Sequence, residues 1–203
     1  MSTLLRVDPE SLPRNLVLDP PLTDAEFEAL CRDNENVQLE RTREEVIRMN
    51  PPAGGLTGDG NAEIIRQLRN WWMGHRQGRV FDSNTGFYLP DSSMLSPDAA
   101  YVVPERLKGL TRTQLTGFPR LCPDFLIELL SESDSVAKAK NMMDLWMGNG
   151  ASLAWLVSPY EHKVYVYQPG SKVSAVSGKS VKGVGPVEGF TLDLDEVWRC
   201  YKV

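Results

Sequence analysis

The chain is poor in the side chains that hold soft or borderline metals. Its three cysteines, Cys31, Cys122 and Cys200, and its two histidines, His75 and His162, lie far apart along 203 residues. Such scattering argues against a paired-cysteine zinc site, a disulfide framework, a histidine-rich metal centre and a histidine-based nucleophilic triad. The cysteines read as reduced and structural, and the histidines as surface residues. Long apolar runs are missing as well. None approaches the ~20 residues of a membrane span. The opening MSTLLRVDPESLPRN has no basic start leading into an apolar core of signal-peptide length, so a cytoplasmic address is expected. Positive charge is not in excess, because 22 Lys and Arg stand against 27 Asp and Glu for a net charge of −5. The whole molecule is therefore not drawn to nucleic acid, although a local basic patch would suffice. The chain does have apolar content, 41% of residues, enough for one well-filled core. A single domain over 1–203 is expected, with residues 1–34 as an extension whose helix packs on it.

Periodicity gives a mixed α/β (α+β) pattern. LTDAEFEALCRD carries a capping-box signature, Thr23 and Glu26, ahead of Phe27, Leu30 and Cys31 at helical spacing. VQLERTREEVIRMN reads as two strands, the first ending near Glu40 and the second over Val46 to Met49. PPAGGLTGDGN reads as an exposed glycine-rich loop. From Asn61 an amphipathic helix follows, with Ile64, Ile65, Leu68, Trp71 and Trp72 on one side and Arg66, Arg69 and Arg76 largely elsewhere. Short strands around turns at Asn84 and Asp91 lead to AAYVV, and ERLKGLTRTQLTGF to a short helix and loop. A second main helix, capped by Asp134 or Ser135, runs to about Met147 and stops at Gly148 and Gly150. SLAWLVSP and KVYVYQPG form a hairpin, and SGKSVKGVGPVEGF resembles a surface loop before a short closing element.

The segment LCPDFLIELLSESDS poses a chemical question. Read as a strand, it places Asp124, Leu126 and Glu128 on one face and Phe125, Ile127 and Leu129 on the other. Unpaired buried carboxylates are costly, so this face needs a cation, hydrogen bonds or water. A wet sheet edge would also do. A second Pro-Asp pair, Pro97-Asp98, opens AAYVV, so Asp98, Asp124 and Glu128 could converge as oxygen ligands of a hard cation such as Mg²⁺. Elsewhere the chemistry is thinner. Gly55 and Gly60 have Walker A spacing, but Asn61 and Ala62 stand where Lys and Ser or Thr are required. The loop is then plain, or an anion site at a helix start. The arginines beside the apolar stripe are ordinary helix construction or a track for phosphates.

QLERT, NPPAGGLTGDGN, FDSNTGFYLP, SPDAAYVVPERL, GFPRLCPDFLIEL, SESDS, GNGASLAWLVSP and VYVYQPG run in unbroken order from about residue 35. In these stretches the chain resembles the bacterial putative restriction endonuclease family of the Uma type, within the PD-(D/E)xK nuclease superfamily. The resemblance implies a restriction-endonuclease-like core, a mixed central sheet flanked by helices with added β-hairpins. It implies Asp98 as the motif aspartate and Glu128 as the motif acid, both holding Mg²⁺, for which Mn²⁺ substitutes. Glu40 and Glu63 are the candidates for an additional glutamate, or else solvated charges. The implied activity is phosphodiester hydrolysis of DNA. The motif lysine is missing, however: Leu130 stands two residues after the acid, and Met142 stands at the alternative position, four residues before Trp146.

Lys138 lies one helical turn before Met142 and could bring its ammonium to Glu128, unless it is a surface charge; Lys140, about 160° away, should face solvent. Two functions are therefore carried forward. One is a Mg²⁺-dependent DNA endonuclease with Lys138 assisting, and the other is a catalytically impaired scaffold that binds nucleic acid or a protein partner. A homodimer is expected if the LAWLV and VYVYQ strands leave an exposed edge or face for a second copy.

Overall fold

The computed structural model describes residues 15–132 and 134–202. Helix α1 (Asp24–Asp33) begins where the sequence signals it, with Thr23 Oγ1 accepting the Glu26 N–H and Glu26 Oε2 accepting the Thr23 N–H. Phe27 and Leu30 on its buried side pack with Leu39, Ile47, Tyr88 and Met94 of a five-stranded sheet. Its strands, in spatial order, are β1 (Asn15–Leu16), β3 (Ile47–Asn50), β2 (Gln38–Arg41), β6 (Met94–Leu95) and β5 (Phe87–Tyr88). Of the expected N-terminal extension, residues 1–14 lie outside the described residues.

The second sheet carries the main core. Its order is β11 (Ser174–Val176), β10 (Lys163–Tyr167), β9 (Leu153–Ser158), β8 (Phe125–Leu129), β7 (Ala99–Val102) and β4 (Arg79–Asp82). β8 and β9 run parallel, joined by helix α5 (Val136–Gly148), and the other ladders among the described strands are antiparallel. A parallel pair needs such a crossover, and it covers one sheet face. The alternation expected of a strand then sorts the core. Phe125, Ile127 and Leu129 meet helix α2 (Gly55–Met73) through Ile64 and Leu68, while Leu126 and Leu130 meet Met143 and Trp146 of α5. Each such buried side chain contributes about 1.5–3 kcal/mol relative to exposure.

Three expectations need correction. The glycine-rich stretch is not a loop before the helix, because α2 already starts at Gly55 and takes in GLTGDG. Packing overrides poor helix propensity there: a Cβ on Gly60 would sit 2.7 Å from the Tyr201 hydroxyl and 3.0 Å from a Leu129 methyl, so only glycine lets the helix lie this close. The tail is not a surface loop either. It forms β12 (Ser180–Lys182), β13 (Thr191–Asp193) and α6 (Leu194–Arg199), and buries Val187, Phe190, Leu192 and Trp198 in the α2-side core. Lastly, β9 and β10 are interior strands, so of the edge or face expected to meet a second copy, the edge does not exist in them. The connection after β7 holds two short helices, α3 (Pro104–Leu107) and α4 (Arg112–Thr116).

Candidate functional site

Asp98 stands immediately before β7. The register Ala99 with Ile127 and Ala100 with Leu126, extended by one step, sets Asp98 opposite Glu128 on β8. Both residues fall on the strand face turned toward α5. The Asp98 carboxylate is pinned at both oxygens: Oδ1 accepts from Asn61 Nδ2 at 2.8 Å and Oδ2 from the Leu129 N–H at 2.7 Å. Glu128 Oε1 accepts from the buried indole Nε1 of Trp146 at 2.7 Å. Glu40, on β2 of the other sheet, is buried and accepts from the Ser96 N–H at 2.9 Å and from the Asn50 side chain.

Electrostatics ties the three acids together. Burial pushes the Asp98 carboxyl up to about 6, against the two hydrogen bonds and with help from the Asp134 and Glu40 charges. Burial first, and then the Asp98 charge, push Glu128 well above the carboxylate range. Burial raises Glu40 too, and its charge is felt at both other sites. Carboxylates held this close, with Glu40 buried and Asp98 and Glu128 half-buried, leave protonation or a cation as the two ways to relieve the repulsion.

The remaining candidates lie elsewhere. Asp124, at the far end of β8, is four residues or ~13 Å of strand from Glu128. It accepts from Arg106 Nη1 at 3.2 Å and from the Val103 N–H at 3.0 Å, so it fastens β7 and α3 to β8. The expected convergence of Asp124 with Asp98 and Glu128 is thus not observed: successive same-face residues spread along a strand, and a nearby guanidinium satisfies this one. Glu63 is held by Arg66, at 2.6 and 2.7 Å, and by Gln67 at 2.8 Å; Arg66 keeps it below the usual carboxylate range. Through Gln67, which also bonds the Asp193 backbone, it belongs to the seam between α2 and the tail.

Lys138 is exposed on the first turn of α5. Lys140 does not face open solvent, since its ammonium lies 4.3 Å from the Tyr165 ring centroid. Ring faces attract ammonium groups, which the helical-wheel estimate ignores. Met142 is half-buried against the α5-side core. Two site residues were not foreseen. The sequence marks Asn61 only as a failed phosphate-loop position and Trp146 only as an aromatic landmark; their polar atoms carry the hydrogen bonds that hold Asp98 and Glu128.

The donor set is oxygen throughout, which suits a hard cation such as Mg²⁺, commonly held by one or two carboxylates with waters completing the shell. Among the described residues no group of three His, Cys, Asp or Glu side chains is arranged to enclose an ion. No described helix is long and apolar enough to cross a membrane.

A family model described as Uma2, putative restriction endonuclease, matches residues 24–195. No curated protein matches the chain. Among solved structures, a putative nuclease of DUF820 from Anabaena variabilis shares the fold with a TM-score of 0.67 at 18% identity, over 81% of this chain and 91% of that one.

Proposed function

Since this chain belongs to the Uma2 family of putative restriction endonucleases, we propose that it is a metal-dependent endonuclease that hydrolyses phosphodiester bonds of DNA. The observation that carries the reading is the facing pair Asp98 and Glu128, two half-buried carboxylates of which the first raises the proton affinity of the second, and each of which is fixed by a hydrogen-bond donor. Asp98 and Glu128 would hold Mg²⁺ or Mn²⁺, with Glu40 close enough to add its charge. Such an ion supplies Lewis-acid polarisation of the phosphoryl oxygen and lowers the pKa of water.

The protein's own part is positional. Leu129 N–H and Asn61 fix the Asp98 carboxylate, Trp146 fixes Glu128, and both are therefore oriented before substrate arrives. In the reaction a water oxygen forms a bond to phosphorus, one bridging P–O bond breaks, and the leaving oxygen takes a proton. Lys138 is the proposed group that assists the nucleophile.

The test is metal-dependent cleavage of plasmid and single-stranded DNA, with Asp98→Ala as the control. Cleavage that needs Mg²⁺ or Mn²⁺ and disappears in the variant supports the reading; DNA binding without cleavage overturns it. A second reading, a nuclease-like scaffold that binds nucleic acid or a protein partner without cutting, is favoured by one observation. Met142 occupies the position expected of the lysine, and Lys138 is exposed one turn away.

A further inference from the structure

We infer that the side-chain amide oxygen of Asn61 is a third oxygen ligand of the cation site, brought to the ion by a half-turn of the amide. The inference rests on the metal-dependent reading above. Asn61 lies in the second turn of α2, and its Nδ2 donates to Asp98 Oδ1 at 2.8 Å. Its Oδ1, on the same planar group, therefore lies beside the same carboxylate. That oxygen is buried and accepts no hydrogen bond from a described residue. Buried polar atoms are rarely left so, because the lost hydration is not replaced. A donor or a cation belongs there.

The side chain is held where this exchange is feasible. Gly60, one residue earlier, is pressed against Tyr201 and Leu129 with no room for a Cβ, which sets the helix directly on the strand end whose Leu129 N–H binds Asp98. The terminal torsion of asparagine is broad and roughly two-fold, so its nitrogen and oxygen can trade places without moving the backbone. With nitrogen toward Asp98, the amide satisfies the carboxylate in the absence of an ion. With oxygen toward an ionised Asp98, two oxygens converge, and a cation between them makes that arrangement favourable. Amide carbonyl oxygens are common ligands of hard cations. An amide also suits this position better than a carboxylate, because it adds an oxygen without a further negative charge next to Asp98, Glu128 and Glu40.

The experiment uses the full-length chain and Mn²⁺ alone. Pulsed electron paramagnetic resonance on the Mn²⁺-loaded protein, labelled with carbon-13 at the asparagine amide carbon, should show a hyperfine coupling that Asn61→Leu abolishes. The same substitution should weaken Mn²⁺ binding about 10-fold or more, read from the free-ion signal. Mn²⁺ bound by the wild type without a carbon-13 coupling overturns the role of Asn61 and leaves the metal site standing. No Mn²⁺ binding by the wild type overturns the metal-dependent reading and this inference with it. If Asn61→Leu does not fold, the coupling in the wild type decides alone.

Discussion

Trp146 Nε1 and Glu128 Oε1 are joined by a 2.7 Å hydrogen bond that spans from the last turn of the crossover helix to the sheet it covers. The indole is buried, so the bond is formed in a region with little water to compete. The last turn of α5, where Trp146 lies, thus aims the acid, while the helix as a whole covers the sheet.

Trp146→Phe keeps a ring in the core but deletes the donor. Glu128 then has a half-buried oxygen without its partner, at a cost of about 1 kcal/mol. The expected result is a lower melting temperature and Mn²⁺ affinity reduced roughly 10–100-fold, as for loss of a group that orients a ligand. Isothermal titration with Mn²⁺ and thermal unfolding measure the two. Unchanged affinity would show that the indole does not position Glu128.

Proton linkage gives a second prediction. The folded-state pKa of Asp98, about 6, lies above its ordinary 3.8. The folded protein therefore binds the extra proton between those values, so stability from this group is present below about pH 4 and is lost as pH rises toward 6. Glu128, raised in the same direction by burial and by Asp98, extends the loss to higher pH. Without metal, the melting temperature should fall across this window, and Asp98→Asn should flatten the fall. At neutral pH, Mn²⁺ should raise the melting temperature of the wild type, because a ligand that binds only the folded state stabilises it. Glu128→Ala should abolish that rise. An equal rise in the double variant Asp98→Ala/Glu128→Ala would remove the site.

Much of this was written in the sequence. The alternation of PDFLIEL placed Glu128 on the opposite face from Ile127, Thr23 and Glu26 announced α1, and Pro97-Asp98 marked the strand that faces β8. What sequence could not supply was the partner of each polar group. Strand alternation puts Asp124 and Glu128 on one face but says nothing of Arg106 arriving from α3 to claim Asp124. Glycine content marked residues 54–60 as irregular, because the contact of Gly60 with Tyr201 joins residues remote in sequence. Likewise, the periodicity of α5 gave the face of Trp146 but not the destination of its N–H.

The separation of Asp124 from the site yields a control. Asp124→Ala deletes the acceptor for both Arg106 and the Val103 N–H, and should destabilise the protein by about 1–3 kcal/mol. At the temperature where both proteins are folded, Mn²⁺ affinity should match the wild type within about twofold. A loss as large as that in Asp98→Ala would place Asp124 in the ion site after all.

The missing lysine decides between the enzyme and the silent scaffold. Lys138 and Met142 are one turn apart on α5, and residues so spaced stand about 5–6 Å from each other at Cβ. Met142 packs against the same core as Leu126 and Trp146, on the side where Glu128 is held, whereas Lys138 is exposed at the helix start. A lysine side chain is flexible enough to cover a one-turn displacement, and folding its exposed chain inward toward two carboxylates would be favoured by their charge. If Lys138 serves the reaction, Lys138→Ala should lower metal-dependent cleavage by about 10² or more, the range of general acid–base contributions. Lys140→Ala should change cleavage little, because that ammonium already rests on Tyr165. The opposite outcome is equally concrete. If the wild type is silent and Met142→Lys cuts DNA, the cation was lost from its working position and Lys138 does not replace it.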